Sequence, residues 1–127
     1  PLACAAALAT IRVYEEDGLI ENSEKMGARL RDGLQAALSG QPIVGEVRGR
    51  GLMVCVDLVE PDGSGRSLDA KRVAEIDRKA WDRGAIVYAR GTVVRLAPPL
   101  CITAQETDQL VAIVADSIAE VQRDRAR

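Results

Sequence analysis

Arg95 is the residue whose type and position most suggest chemistry, because it lies inside an apolar run that two prolines end. The run spans residues 93–97, and Pro98 and Pro99 follow it. Proline donates no ladder hydrogen bond and restricts the residue before it, so we expect a strand that ends near Ala97. A guanidinium there must reach solvent or meet an anion, and its planar fork matches a carboxylate. Two interpretations stay open: a solvated arginine on an edge strand, and a carboxylate-binding residue.

Three further arginines, Arg48, Arg50 and Arg90, fall in or beside predicted strands. An anion site built from two or more of the four arginines stays open, although charged side chains of this kind are mostly solvated. Glycines flank Arg50 in a pattern that resembles part of a phosphate-binding loop. Such a loop joins a strand to a helix, whereas strands are predicted on both sides here, so we expect a bend or bulge instead.

The three lysines lack the surroundings of a catalytic amine, which needs an apolar site that lowers its pKa. Glu21 precedes Lys25 by four residues, and Glu75 precedes Lys79 by four. This spacing predicts solvated ion pairs on helix surfaces. Lys71 is no better placed, so we assign no catalytic residue among the lysines.

Asp57 lies in an apolar run, where a lone carboxylate could have a raised pKa and act as a base. No second carboxylate or hydroxyl lies at a spacing from Asp57 that would indicate a catalytic pair. We therefore expect an ordinary aspartate whose hydrogen bonds are satisfied.

The composition excludes several classes of protein. The 127 residues include no histidine, which removes the commonest general base and the commonest metal ligand, so no metal site is expected. A net charge of -2 predicts neither a nucleic acid nor an anionic membrane as partner, and no apolar run reaches the roughly 18 residues of a membrane span. Cys4, Cys55 and Cys101 lack CxxC spacing, which predicts reduced, buried thiols in a cytoplasmic protein.

Four helices are predicted from apolar spacing and end signals. The first runs from Leu2 to about Asp17 and is apolar on several sides, which predicts burial against more than one neighbour. The second helix ends near Ser39. The third helix is capped by Ser67 and ends at Gly84. The fourth helix follows a capping box that begins at Thr103. The chain opens in mid-helix without a methionine, so we expect a piece of something longer.

Strands are predicted over residues 43–51 and 52–59 and as a hairpin over residues 85–97. Both faces of the second strand are mainly apolar, which indicates that one face lacks its cover. We predict one α+β domain over residues 1–127, a two-layer sandwich of a small, mainly antiparallel sheet with helices on one face. The predicted core consists of Leu30, Leu34, Val54, Val56, Val73, Ile76, Val111, Val114 and Ile118.

Three stretches together resemble one family, in this order and spacing. They are residues 1–9 (PLACAAALA), 46–53 (EVRGRGLM) and 94–100 (VRLAPPL), with Gly18-Leu19 at the first helix break and Ile102-Thr103 after the last stretch. Each is similar to the C-terminal part of class III aminotransferases, enzymes that use pyridoxal 5′-phosphate (PLP) and act on ω-amino and related amines. The resemblance covers essentially the whole chain.

The resemblance implies the small C-terminal domain of a fold-type-I enzyme that transfers an amino group from an amino acid or amine to a 2-oxo acid. It implies that this domain packs against a large PLP-binding domain, within a homodimer. Arg95 matches the family arginine that in many members receives a substrate carboxylate. The lysine that carries the cofactor, the aspartate at its pyridine nitrogen and its phosphate-binding residues would all precede residue 1. We therefore expect no catalytic or cofactor-binding residue, no bound PLP and no activity in this chain alone.

A second hypothesis from another class is a free-standing α+β module that binds a small molecule or regulates another protein. A start codon immediately before Pro1 would favour that module. Upstream coding sequence that includes a PLP-binding lysine would favour the aminotransferase.

Overall fold

The computed structural model describes residues 1–124, and residues 125–127 lie outside the described part of the chain. The helices are α1 (Leu2–Glu16), α2 (Leu19–Ala37), α3 (Ala70–Asp82) and α4 (Ala104–Asp124). The strands are β1 (Val44–Arg50), β2 (Met53–Leu58), β3 (Tyr88–Arg90) and β4 (Val93–Leu96). All strand pairs are antiparallel, and the order across the sheet is β1-β2-β4-β3. The predicted α+β class and element order are confirmed.

One face of the sheet is buried beneath helices and the other is open. Val54, Val56 and Leu58 of β2 are buried, whereas Met53 on the same strand is 68% exposed. The helices α2 and α3 contact the sheet, and both contact α4, so the three form one layer. Because successive side chains of a strand point to opposite faces, this alternation defines a covered and an uncovered face.

The predicted core is confirmed with one exception. Eight of its nine members are buried in one cluster, namely Leu30, Leu34, Val54, Val56, Val73, Ile76, Val114 and Ile118. Val111 is only partly buried, and it packs against this cluster at the place where α4 passes Gly33 of α2. The helical members of the core were predictable because apolar side chains that recur every third or fourth residue lie on one face of a helix.

The neighbours that the apolar sides of the first helix predict are not found within residues 1–124. None of the residues in α1 is buried, and Leu2 is 84% exposed. The helix packs along α2, and apolar side chains such as Leu8 and Ile11 stay exposed. An apolar helix needs a neighbour on each apolar side, and the described chain supplies too few of them.

The helix ends agree with the predicted signals at α4 and differ at α3. Glu106 accepts a hydrogen bond from the backbone nitrogen of Thr103 (2.8 Å), and the Thr103 hydroxyl accepts one from the Glu106 nitrogen (3.2 Å), which confirms the capping box. The backbone nitrogen and the hydroxyl of Thr103 both donate to the Glu106 carboxylate, and these two bonds lower its pKa. The cap predicted at Ser67 is wrong, because α3 begins two residues later and Asp69 accepts from the Lys71 nitrogen (2.9 Å).

The predicted burial of the three cysteines is also wrong. All three are free thiols, but Cys4 and Cys101 are exposed and Cys55 is half-buried. Cys4 lies on the uncovered helix α1, and Cys55 lies on the open face of the sheet, so their exposure has the same origin as that of the apolar residues around them.

Candidate functional site

The open face of the sheet carries a row of four side chains with Arg95 inside it. Arg95 lies on β4, opposite Cys55 of β2 and opposite Tyr88 of β3. Cys55 in turn lies opposite Arg48 of β1. Since β4 has a partner on each side, the interpretation of Arg95 as an edge-strand residue is wrong. Its side chain is nevertheless exposed, because it points to the uncovered face.

Arg95 has an aromatic neighbour and no acidic one. Its Cζ atom lies 5.0 Å from the centroid of the Tyr88 ring, and Cζ of Arg90 lies 5.5 Å from the same centroid. Within residues 1–124, neither guanidinium forms an ion pair with a carboxylate. The structure therefore leaves the hydrogen-bond donors of Arg95 available on the open face.

Arg48 in the same row is engaged with a carboxylate. Its Nε and Nη2 atoms donate to the two oxygens of Asp57 at 2.8 and 3.0 Å. This bidentate contact raises the pKa of the Arg48 guanidinium. The expectation that Asp57 is an ordinary, hydrogen-bonded aspartate is confirmed, since both of its oxygens accept from Arg48.

The structure thus brings two of the four strand arginines together and separates the others. Arg90 and Arg95 share the Tyr88 ring, while Arg48 is paired with Asp57. Arg50 ends β1 and lines a cleft against α2 instead.

Gly49 lies near the end of β1 and Gly51 lies in the turn that leads to β2, which confirms the predicted bend. A Cβ on Gly49 would overlap the Met53 carbonyl, and Gly51 has a φ of 52° that favours glycine. The glycines thus allow close packing, with β2 against Gly49 and Ser23 of α2 against Gly51.

Asn22 holds the segment that follows Arg95, and sequence reasoning missed it. Its Nδ2 atom donates to the carbonyl oxygens of Leu100 (2.6 Å) and Ile102 (3.0 Å). These bonds connect α2 to the segment between β4 and α4, across 78 residues of sequence for Leu100. Only its position near the start of an amphipathic helix could have drawn attention to Asn22, and that signal is weak.

The lysine ion pairs predicted within helices are wrong. Lys79 is only 13% exposed, and its Nζ atom lies 2.6 Å from Glu120 Oε1 and 3.2 Å from Asp124 Oδ2. Glu75 faces Arg78 instead, and within the described chain no ion pair joins Glu21 to Lys25. Helix packing decides the partner, because α3 and α4 lie side by side. The hydrogen bond that Lys79 donates to Glu120 raises the pKa of the Lys79 ammonium, which is the reverse of what a nucleophilic amine requires.

The contact between α3 and α4 predicts a specific loss of stability in acid. Hydrogen bonds from Lys79 and Arg83 lower the pKa of Glu120 from 4.5 to about 2. A carboxylate whose pKa is lowered by folding stabilises the folded state above its unfolded pKa and loses that effect as the pH falls. We expect Glu120→Gln to lower the urea unfolding midpoint at pH 7, and the curves of variant and parent to converge between about pH 5 and pH 2.

The control for this prediction is Glu75→Gln, because Glu75 contacts Arg78 at the surface at 4.0 Å. The urea unfolding midpoint of Glu75→Gln should equal that of the parent at every pH. Parallel curves for Glu120→Gln and the parent would show that Glu120 does not couple folding to pH.

Two kinds of site are not found in residues 1–124. No helix there combines the length and hydropathy needed to cross a membrane. No three cysteine, aspartate or glutamate side chains there are grouped so that they could hold a metal ion.

Comparison with known proteins places the chain in a family. Residues 1–118 match the sequence profile described as Aminotransferase class-III. The chain belongs to the class III aminotransferases. It is 36% identical over 126 residues to the 4-aminobutyrate aminotransferase GabT of Escherichia coli, covering 97% of this chain and 29% of that protein. It is 40% identical over 121 residues to acetylornithine aminotransferase 1 of Bordetella pertussis, covering 94% of this chain and 28% of that protein.

Solved structures of transaminases share the fold. An amine transaminase from an uncultivated Pseudomonas species, in a PLP-bound form, superposes with a TM-score of 0.86 at 36% identity. That match covers 93% of this chain and 27% of the transaminase. The chain therefore spans less than a third of the length of each of these relatives, and the predicted family is confirmed.

Proposed function

We propose that this chain is the C-terminal small domain, residues 1–127, of a PLP-dependent class III aminotransferase. The whole enzyme would transfer an amino group from an ω-amino acid or related amine to a 2-oxo acid. In this proposal the chain supplies recognition of the substrate carboxylate through Arg95. One observation carries the assignment: the Arg95 guanidinium lies on the uncovered sheet face without an acidic partner among the described residues.

The contrast with Arg48 supports the role of Arg95. The donors of Arg48 are already used by Asp57, whereas those of Arg95 are free to meet a carboxylate from outside this chain. A bidentate contact would fix both the position and the orientation of the substrate. Bonds from Asn22 to the segment after β4 limit the movement of the backbone that follows Arg95.

The residues of this chain do not fit PLP itself. Lys79 is held between two carboxylates, and Lys25 and Lys71 are exposed, so no lysine has the desolvated surroundings that covalent attachment requires. Gly49 packs against the backbone of β2, and Gly51 packs against Ser23 of α2. We infer that PLP, which supplies the electron sink for amino transfer, is held by residues outside this chain.

The uncovered surfaces support a larger assembly. The helix α1 and the open sheet face expose apolar side chains, including Leu8, Ile11 and Met53, that a large PLP-binding domain would cover. We further propose that the whole enzyme is a homodimer, as the family resemblance implies, and that it is cytoplasmic, as its unpaired cysteines favour.

A comparison of the isolated chain with the whole protein tests whether PLP binding and amino transfer require residues outside the chain 1–127. We expect the whole protein to bind PLP covalently and to transaminate. The chain 1–127 should do neither, because Lys25 and Lys71 are exposed and Lys79 is paired with two carboxylates. Absorbance spectra before and after borohydride reduction, followed by peptide mapping, would detect attachment. A specific, reduced PLP adduct on Lys25, Lys71 or Lys79 of the whole protein would contradict the proposal.

A further inference from the structure

We propose that Tyr88 is a positioning residue for Arg95, and that stacking on its ring prepares the guanidinium to receive the substrate carboxylate. This inference rests on the carboxylate-binding role proposed above. The Arg95 Cζ atom lies 5.0 Å from the Tyr88 ring centroid, within the roughly 6 Å range of a cation–π interaction.

The fold fixes this pair of residues. Tyr88 and Arg95 lie directly opposite each other in the β3–β4 hairpin, and the turn after Arg90 keeps the strands in that register. Opposite side chains on one sheet face have Cβ atoms about 4.5–5.5 Å apart, so they interact without movement of the backbone. The ring is 49% exposed on the open face and therefore accessible to the guanidinium.

Stacking and carboxylate binding use different parts of a guanidinium. A stacked guanidinium places its flat face toward the ring, and its five N–H donors then point outward in the guanidinium plane. Tyr88 can therefore restrict Arg95 without occupying its donors, unlike Asp57, which uses the donors of Arg48. Restricting a long side chain before binding lowers the entropy lost when the carboxylate arrives. The consequence is tighter binding of carboxylate ligands alone.

The test uses the whole protein and ligands that differ in the carboxylate. L-alanine and isopropylamine share the reacting carbon and nitrogen, but only the former carries a carboxylate. Isobutyrate carries the carboxylate and no amine, so calorimetry measures its Kd without any reaction. The variants are Tyr88→Leu, which removes the ring, and Tyr88→Phe, which removes only the hydroxyl. Trp81→Leu is the matched control, because Trp81 is a 65% exposed aromatic on α3 that stacks on no described arginine.

We expect Tyr88→Leu to raise the Kd of isobutyrate and the KM for L-alanine by about 2- to 30-fold, with kcat little changed. Isopropylamine kinetics should be unaffected. Tyr88→Phe and Trp81→Leu should behave like the parent. In an Arg95→Ala background, Tyr88→Leu should add no further loss, because the two residues act through one contact. If Tyr88→Leu does not fold, Tyr88→Met removes the ring while keeping a long side chain.

Other results would overturn the inference. Equal losses for L-alanine and isopropylamine would show that Tyr88 is merely structural, and a loss in Tyr88→Phe that matches Tyr88→Leu would assign the effect to the hydroxyl. If Arg95→Ala selectively weakens L-alanine but Tyr88→Leu does not, this inference alone fails. If Arg95→Ala does not discriminate between the two substrates, the carboxylate-binding role fails and this inference fails with it.

Discussion

Arg95→Ala in the whole protein is expected to lower kcat/KM for L-alanine by about thirty-fold to several-thousand-fold. Removing one partner of a desolvated, charge-assisted contact costs about 2–5 kcal/mol. Removing a solvated arginine would change the free energy by less than about 0.5 kcal/mol. The carboxylate-binding and the solvated interpretations of Arg95 therefore predict losses that do not overlap. The prediction follows from the free donors of Arg95 on the open sheet face. Steady-state kinetics with purified variants measure it.

Matched substrates and variants make this result specific. Isopropylamine should react with Arg95→Ala about as well as with the parent, because it has no carboxylate to lose. Arg95→Lys should keep part of the activity toward L-alanine, since an ammonium retains the charge but not the planar fork. Arg78→Ala is the control, because Arg78 is a solvated arginine on α3. Equal, small changes for both substrates in Arg95→Ala would show that Arg95 is a surface residue.

Gly27→Ala is expected to destabilise the fold by about 3 kcal/mol or more, at the upper end of overpacking costs. Gly27 lies in α2, where the helix passes directly over the β1–β2 turn. A Cβ on Gly27 would overlap the backbone carbonyl of Gly51, and a backbone group cannot move aside as a side chain can. The gain in helix propensity, about 1 kcal/mol, does not offset this overlap. Urea unfolding of the chain 1–127 measures the change.

Gly33→Ala is the matched control in the same helix. Its Cβ would lie 3.0 Å from Val111 Cγ2, which belongs to a partly buried side chain that can adjust. We expect its stability to stay within about 1 kcal/mol of the parent, because the propensity gain opposes a mild clash. If Gly27→Ala and Gly33→Ala unfold at the same urea concentration, α2 does not approach the turn closely.

Much of the fold could be predicted from short-range pattern. The stripe that includes Leu30 and Leu34 predicted α2 and its buried face, and the prolines after Ala97 predicted where β4 ends. The capping box at Thr103 predicted the start of α4. These features depend on the periods of helix and strand and on bonds between residues a few positions apart, so the sequence displays them directly.

The candidate site was predicted only in part. The sequence singled out Arg95 by its apolar surroundings, and the resemblance to class III aminotransferases proposed its role. Neither identified Tyr88 as its neighbour, since nothing in the spacing along the chain shows which residue lies across a strand pair. The hairpin register that places Tyr88 opposite Arg95 depends on where β3 begins, and the structure places that start three residues later than the predicted strand.

The sequence alone determined the element order, the α+β class, most of the core and the family, because each of these depends on local spacing or on contiguous motifs. Only the tertiary structure decided which distant groups meet. Asn22 bonds the segment after β4, Lys79 pairs with Glu120 across two helices, and Gly27 passes the turn at Gly51. Such contacts depend on how helices and sheet pack in three dimensions, and a charge or a glycine in the sequence does not specify its partner.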